Sequence, residues 1–335
     1  MRKYFYLTIL LSLILSASAI SLDATHIYGI HDWGAGASSI FNGKSRWDVQ
    51  MLRVGIDSLN ANEIVGDGFT LIIRLGKGWG ESVPKNSSEW DAFAVSCAST
   101  VSVYSSYCNR WIIGNEMNAN FGNNYSVPAS DYITIFQKCR PAIKAVQPEA
   151  EVLVAAVAPW NSDQNPGGPY TYAWLNYMDA LVNGINNDCE GYAIHAYGGR
   201  NGDSDPRNDN YWGFGVYKDW MNIVGNNMYA HTKPVYLTEM NCFADGQGST
   251  PGYPKYGYSS GWINKAYEEI NNWNRSHNQK IYCACWFAYA NGGFPGYDLT
   301  LIGQASSDFS YTTQNTNYTI ADPTAIRPII WEIYW

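Results

Sequence analysis

Eight short apolar runs recur along the chain, at His26 to Ile30, Gln50 to Ile56, Phe69 to Leu75, Trp111 to Ile113, Val152 to Val157, Tyr192 to Ala196, Val235 to Leu237 and Ile281 to Phe287. Most are continuous rather than alternating, the pattern of parallel strands buried on both faces. The second is the weakest, because Trp47 to Ile56 reads equally well as a helix. Segments of helical spacing lie between the runs. Ser88 followed by Asp91 predicts a capping box opening a helix through Phe93 and Cys97. Ser130 is placed to cap the next, which carries Ile133, Phe136 and Cys139 until Pro141 interrupts it. Ile263, Ala266, Ile270 and Trp273 fall at spacings that share one helix face.

Strand followed by helix, repeated along a chain of 335 residues, predicts an α/β fold: a closed (β/α)8 TIM barrel forming a single catalytic domain. The rival is an open doubly wound sheet. It usually carries a phosphate-binding glycine loop after its first strand, whereas GIHDWGAGA has Gly34 and Gly36 but no G-x-G-x-x-G. We place the barrel at residues 20–307. Residues 308–335, rich in Ser, Thr, Asn and Tyr before closing on RPIIWEIYW, read as an extension packed on the barrel or as the stub of a further module.

The first 19 residues change the picture of where the chain works. Arg2 and Lys3 precede an apolar stretch from Tyr4 to Leu15, then Ala17-Ser18-Ala19, the layout of a secretory signal peptide spanning residues 1–19. The stretch is shorter than the roughly 20 residues of a spanning helix, so a secreted protein is expected, extracellular or periplasmic and free of the membrane after cleavage. Seven cysteines in an exported chain allow up to three disulfides. The formal net charge is −8, and no run of Lys or Arg occurs, which argues against nucleic acid or an anionic membrane as partner. Charged residues form 15% of the chain, against about 25% in an ordinary domain, while aromatic residues reach 15%. Neutral amides and rings suit a neutral sugar, whose C–H faces stack on aromatic side chains. No cofactor or metal is expected, and a monomer is.

In a parallel barrel the carboxyl ends of all strands open on one face. The polar residues after the apolar runs are His31, Asp32 and Trp33; Arg74; Asn115 and Glu116; Trp160; His195 and Tyr197; Glu239; and Trp286. Two of them rhyme: RWIIGNEMN ends the fourth run and PVYLTEMN the seventh. Carboxylates on the fourth and seventh strands face each other across the mouth, the arrangement needed to protonate a leaving oxygen and attack an anomeric carbon. Gly114-Asn115-Glu116 and Thr238-Glu239 resemble the signatures of the retaining clan A glycoside hydrolases.

That resemblance implies Glu116 as general acid/base and Glu239 as nucleophile, with a polysaccharide or oligosaccharide of β-glucan or mannan type as substrate. It implies that Asn115 bonds the sugar 2-hydroxyl, that Tyr197 bonds the nucleophile with His195 alongside, and that Trp286 forms the aromatic floor. Arg74 is matched less closely, since the clan's arginine sits around the second strand and Arg74 falls on the third run. Met117 stands where proline commonly follows the acid. His31 and Asp32 are assigned to the outer wall or the first loop, and Trp33, Trp79, Trp160, Tyr170, Tyr172 and Trp174 to stacking platforms. Two other readings stay open: a metal-dependent barrel hydrolase using His31, Asp32, His195 and a glutamate, and a catalytically inactive carbohydrate-binding barrel.

Overall fold

The continuous apolar runs become strands buried on both faces. In the computed structural model, which describes residues 23–78, 81–119, 126–159, 173–198, 205–207, 213–242, 258–291 and 296–320, eight parallel strands close into a barrel in sequence order. They are β1 (Tyr28–His31), β2 (Arg46–Arg53), β3 (Phe69–Gly76), β4 (Arg110–Ile113), β5 (Glu151–Val154), β6 (Gly191–Gly198), β7 (Val235–Cys242) and β8 (Ile281–Trp286). Helices α1 (Ala61–Gly66), α2 (Trp90–Tyr104), α3 (Ala129–Val146), α4 (Ala173–Ile185), α5 (Val216–Asn226) and α6 (Trp262–Ser276) connect them from β2 onward, and α7 (Gly303–Asn315) follows β8. A 3-10 turn, Ala37–Phe41, takes the place of a helix after β1. The second unit is a strand and not a helix: it pairs in register with β3 along its whole length.

Strand pairing separates the side chains that fill the barrel from those that face the helices. At its floor Arg110 lies over the rings of Trp47 and Tyr236 and bonds Asp23 and Glu151. On the outer face Trp111 is buried against α3, its indole N–H donating to Gln147 at 2.8 Å. Ile263, Ala266 and Ile270 form the buried stripe of α6, as their spacing predicts.

Several local expectations fail for identifiable reasons. Asn86, not Ser88, supplies the cap before α2: its side chain accepts the Ser88 N–H at 3.2 Å and opens the turn Ser87–Glu89. Ser130 lies inside α3, which begins after Pro128 without a side-chain cap. The same helix runs through Pro141, because Tyr132, Ile135, Phe136, Cys139 and Ile143 bury one face on the barrel and outweigh the lost backbone bond. All seven cysteines are buried thiols, and none of the disulfides expected of an exported chain is formed. Asp308 falls inside α7, whose Phe309 packs on Phe41 and Tyr267. Beyond α7, Tyr318 and Ile320 bond back to Ile27 and Thr25. Residues 321–335, like the expected leader 1–19, lie outside the described residues. No helix among the described residues is long and apolar enough to cross a membrane.

Candidate active site

Glu239 reaches the mouth because β7 carries one extra residue. Tyr236 points into the barrel, where it meets Trp47 and Arg110. Simple alternation would therefore send Thr238 inward and Glu239 outward. Between Ile194 and His195 the β6–β7 register slips: Ile194 pairs with Leu237, but His195 pairs with Glu239. Thr238 is the additional residue, and a one-residue slip reverses the face of everything after it. Glu239, Asn241, His195 and Tyr197 consequently share the inward phase.

The opposite wall is built from β3 and β4. Arg74 is buried on β3 and donates through one Nη to Glu239 Oε1 and, at 2.7 Å, to Asn115 Oδ1. Gly114 turns the chain out of β4 with φ +82, and a Cβ there would meet Val83 at 2.8 Å. Asn115 N–H donates to Ser82 Oγ, and Glu116, at φ +47, donates its N–H to Ala156 O at 2.9 Å. A left-handed non-glycine residue is strained, and such residues gather at functional sites. The Tyr132 hydroxyl braces this corner from α3, donating to Ile113 O at 2.8 Å and accepting from Ala155 N at 2.9 Å.

His195 joins the two carboxylates. Its Nδ1 lies 2.8 Å from Glu116 Oε1 and 3.5 Å from Glu239 Oε2, while Nε2 is buried without a partner. The Tyr197 hydroxyl donates to Glu239 Oε2. Burial pushes the Glu239 carboxyl upward. The pull of His195, Arg74 and His31, with the Tyr197 bond, outweighs it and holds the group well below the usual glutamate range. Burial, followed by the negative charges of Glu239 and Glu116, raises Tyr197 far above its ordinary value, so the phenol stays a donor.

An oxygen of each carboxylate and a nitrogen of His195 all lie within 4.8 Å of one another. This triangle also has the spacing of a metal site. A cation there would stand beside the permanent charge of Arg74, which already neutralises Glu239. The residues fit an ion pair with a poised second carboxylate better than a metal cluster.

Of the residues singled out by sequence, Glu116, Glu239, Asn115, Arg74, His195 and Tyr197 come together. His31 is buried behind Arg74 rather than on an outer wall, and Asp32 stands behind His31. Trp33 is a strap: its indole N–H donates to Asp67 and its backbone N–H to Asp48, at the edge of the barrel's outer face. Trp174 is core, edge-on to Trp220. Trp286 must be corrected. It pairs with the outward-facing Met240, is fully buried, and packs on Trp262 and Tyr258, so no sugar reaches it. Phe287, one residue on, is the partly exposed ring at this position and meets His31 edge-on at 4.9 Å. Trp79, Trp160, Tyr170 and Tyr172 lie outside the described residues. Ser82, Tyr132, Phe287 and Asn291 went unrecognised in the sequence; only Phe287, next to the nominated tryptophan, carried a local signal.

Solved structures similar to this barrel include a family 39 glycoside hydrolase from the gut symbiont Bacteroides cellulosilyticus WH2, with a TM-score of 0.55 at 15% identity over 86% of this chain and 64% of that one. A glucosidase from Croceicoccus marinus gives 0.56 at 10% identity, over 89% and 69%. A fungal β-1,4-galactanase gives 0.51 at 13%, over 87% and 100%. The chain thus spans just under two thirds of the first of these structures. The structural neighbours are clan A glycoside hydrolases, the group that the Asn115-Glu116 and Thr238-Glu239 motifs resemble. At these identities the likeness establishes the barrel. No protein-family model and no curated protein matches the sequence.

Proposed function

We propose that the chain is a secreted, monomeric retaining glycoside hydrolase that cleaves β-glycosidic bonds in a neutral polysaccharide or oligosaccharide of β-glucan or mannan type, acting within the chain. The spacing of Glu116 and Glu239 carries this reading. Retaining enzymes hold their carboxyl groups about 5–5.5 Å apart, whereas inverting ones need about 6.5–9.5 Å to admit a water between acid and base. One oxygen of Glu116 and one of Glu239 lie within 4.8 Å of each other, which supports the closer, retaining arrangement.

The two carboxylates have different surroundings, as their roles require. Glu239, ionised between Arg74 and Tyr197, attacks the anomeric carbon and forms a glycosyl ester. Glu116, the more exposed of the two, gives its proton to the departing oxygen, then takes one from the water that cleaves the ester. Asn115, held by Arg74, presents its amide to the sugar 2-hydroxyl.

A panel of neutral polysaccharides assayed with wild type, Glu116→Ala and Glu239→Ala tests this. Both variants should lose hydrolysis, and azide should rescue Glu239→Ala with inverted product. Near-normal turnover by either variant refutes the assignment. The Glu116–His195–Glu239 triangle supports a second reading, a metal-dependent hydrolase. Undiminished activity after exhaustive chelation removes it.

A further inference from the structure

We propose that His31 and Asp32 are positioning residues that lock the Arg74 guanidinium, and through it both halves of the carboxylate site. The proposal rests on the glycosidase reading and adds to it a tautomer with an assigned task. Arg74 Nη1 is shared between Glu239 Oε1 and Asn115 Oδ1. Its Nε is buried without a partner, so that edge of the fork does nothing to orient it. The other end is Nη2, and it stands 2.6 Å from His31 Nε2.

A guanidinium only donates, because it keeps its protons throughout the accessible pH range. His31 Nε2 must then offer its lone pair, and the neutral ring carries its proton on Nδ1. Nδ1 lies 2.9 Å from Asp32 Oδ1, close in distance though bent away from ideal alignment. A doubly protonated ring would add to the pull on Glu239 but would set two donors 2.6 Å apart. Asp32 is itself fixed, accepting from Asn291 through Oδ2 and held at φ +62. Burial raises its carboxyl, yet the Nδ1 proton of His31, the Asn291 amide and the charge of Arg74 prevail and keep it low, an acceptor for that proton. The chain of command runs Asn291, Asp32, His31, Arg74, then Glu239 and Asn115. His31 is 2% exposed, which suits a group that orders its neighbours and never meets the sugar.

The sequence holds five histidines, few enough to resolve each imidazole by long-range proton–nitrogen correlation spectra, with His31→Gln identifying one set of signals. The lock requires Nδ1 protonated and Nε2 bare in wild type, and Asp32→Asn to move the proton or split the signal. A wild-type spectrum with Nε2 protonated overturns the proposal. In kinetics, Asp32→Asn should lower kcat about tenfold with KM within twofold. His31→Gln, whose amide oxygen falls near the place of Nε2, should keep severalfold more activity than His31→Asn, whose amide falls near Nδ1. Equal activities for the two amides, or a loss that tracks thermal stability, would reduce His31 to packing. The spectrum needs no substrate, so a wild type that hydrolyses nothing sinks the glycosidase reading and not the tautomer.

Discussion

Replacing Arg74 by methionine removes the counter-ion of a carboxylate that has almost no access to water. Arg74 and Glu239 have side chains 5% and 7% exposed, so neither is screened by solvent. Breaking one partner of such a pair costs about 3–5 kcal/mol. With an unfolding entropy of about 2.1 cal/mol/K per residue, a chain of this length would melt about 4–7 °C lower. The deficit has a pH dependence of fixed sign. Glu239 is held below its unfolded value, so its stabilising contribution is complete above an ordinary glutamate pKa of about 4.3 and is lost as pH falls through the lower folded value. Without Arg74, burial gains ground, the folded carboxyl moves upward, and protonation relieves the unpaired charge. The gap between wild type and Arg74→Met should therefore be widest near pH 8 and narrow towards pH 4. Urea unfolding at several pH values measures it, and Arg74→Met with Glu239→Gln should recover most of the loss. A gap equal at pH 8 and pH 4.5, or no recovery in the double variant, would refute the ion-pair argument.

Tyr197→Phe removes the hydroxyl bond to ionised Glu239, worth about 1.5–3 kcal/mol, and should lower kcat/KM about 10- to 100-fold. Because that bond favours the charged form, the acid limb of the pH profile should move to higher pH. Gln147→Leu strands the Trp111 indole N–H and strips a donor from Cys108 O, 3.0 Å away, so it should cost about 2–3 kcal/mol in urea while kcat per folded molecule is kept. The cysteines should be silent to a thiol reagent in the native state, where they are buried and where burial pushes Cys108 up to about 12. Seven should titrate in denaturant, and a count of five or fewer would reveal a disulfide.

The barrel was legible because its strands are buried on both faces and so leave uninterrupted apolar runs, which periodicity detects. The second was hard to read because β2 is buried on only part of its length and carries Asp48 and Gln50 within it. The carboxylates were legible for a related reason, since an acid closing such a run has no solubilising purpose. Helix starts were not, because Ser88 and Ser130 satisfy the local pattern while Asn86 and a buried apolar face decide the outcome. The role of His31 had no trace in the sequence. It depends on Arg74, 43 positions away in the chain, arriving 2.6 Å from its ring.

The strand ends show why alternation fails where chemistry begins. Counting from inward Tyr236 assigns Glu239 to the helices, and only the extra residue Thr238 turns it to the mouth. β8 slips against β7 as well, and there the outward Trp286 gives way to the inward-lying Phe287. The slip leaves the Thr238 hydroxyl buried without a partner, and two further signs of strain lie nearby: Arg74 Nε is also unpartnered and Glu116 sits at positive φ. These marks surround one pair of carboxylates, while the barrel floor pairs Arg110 with Asp23, Glu151 and Tyr236. The strained and unpartnered groups beside Glu239 and Glu116 belong to a geometry that stability alone would remove.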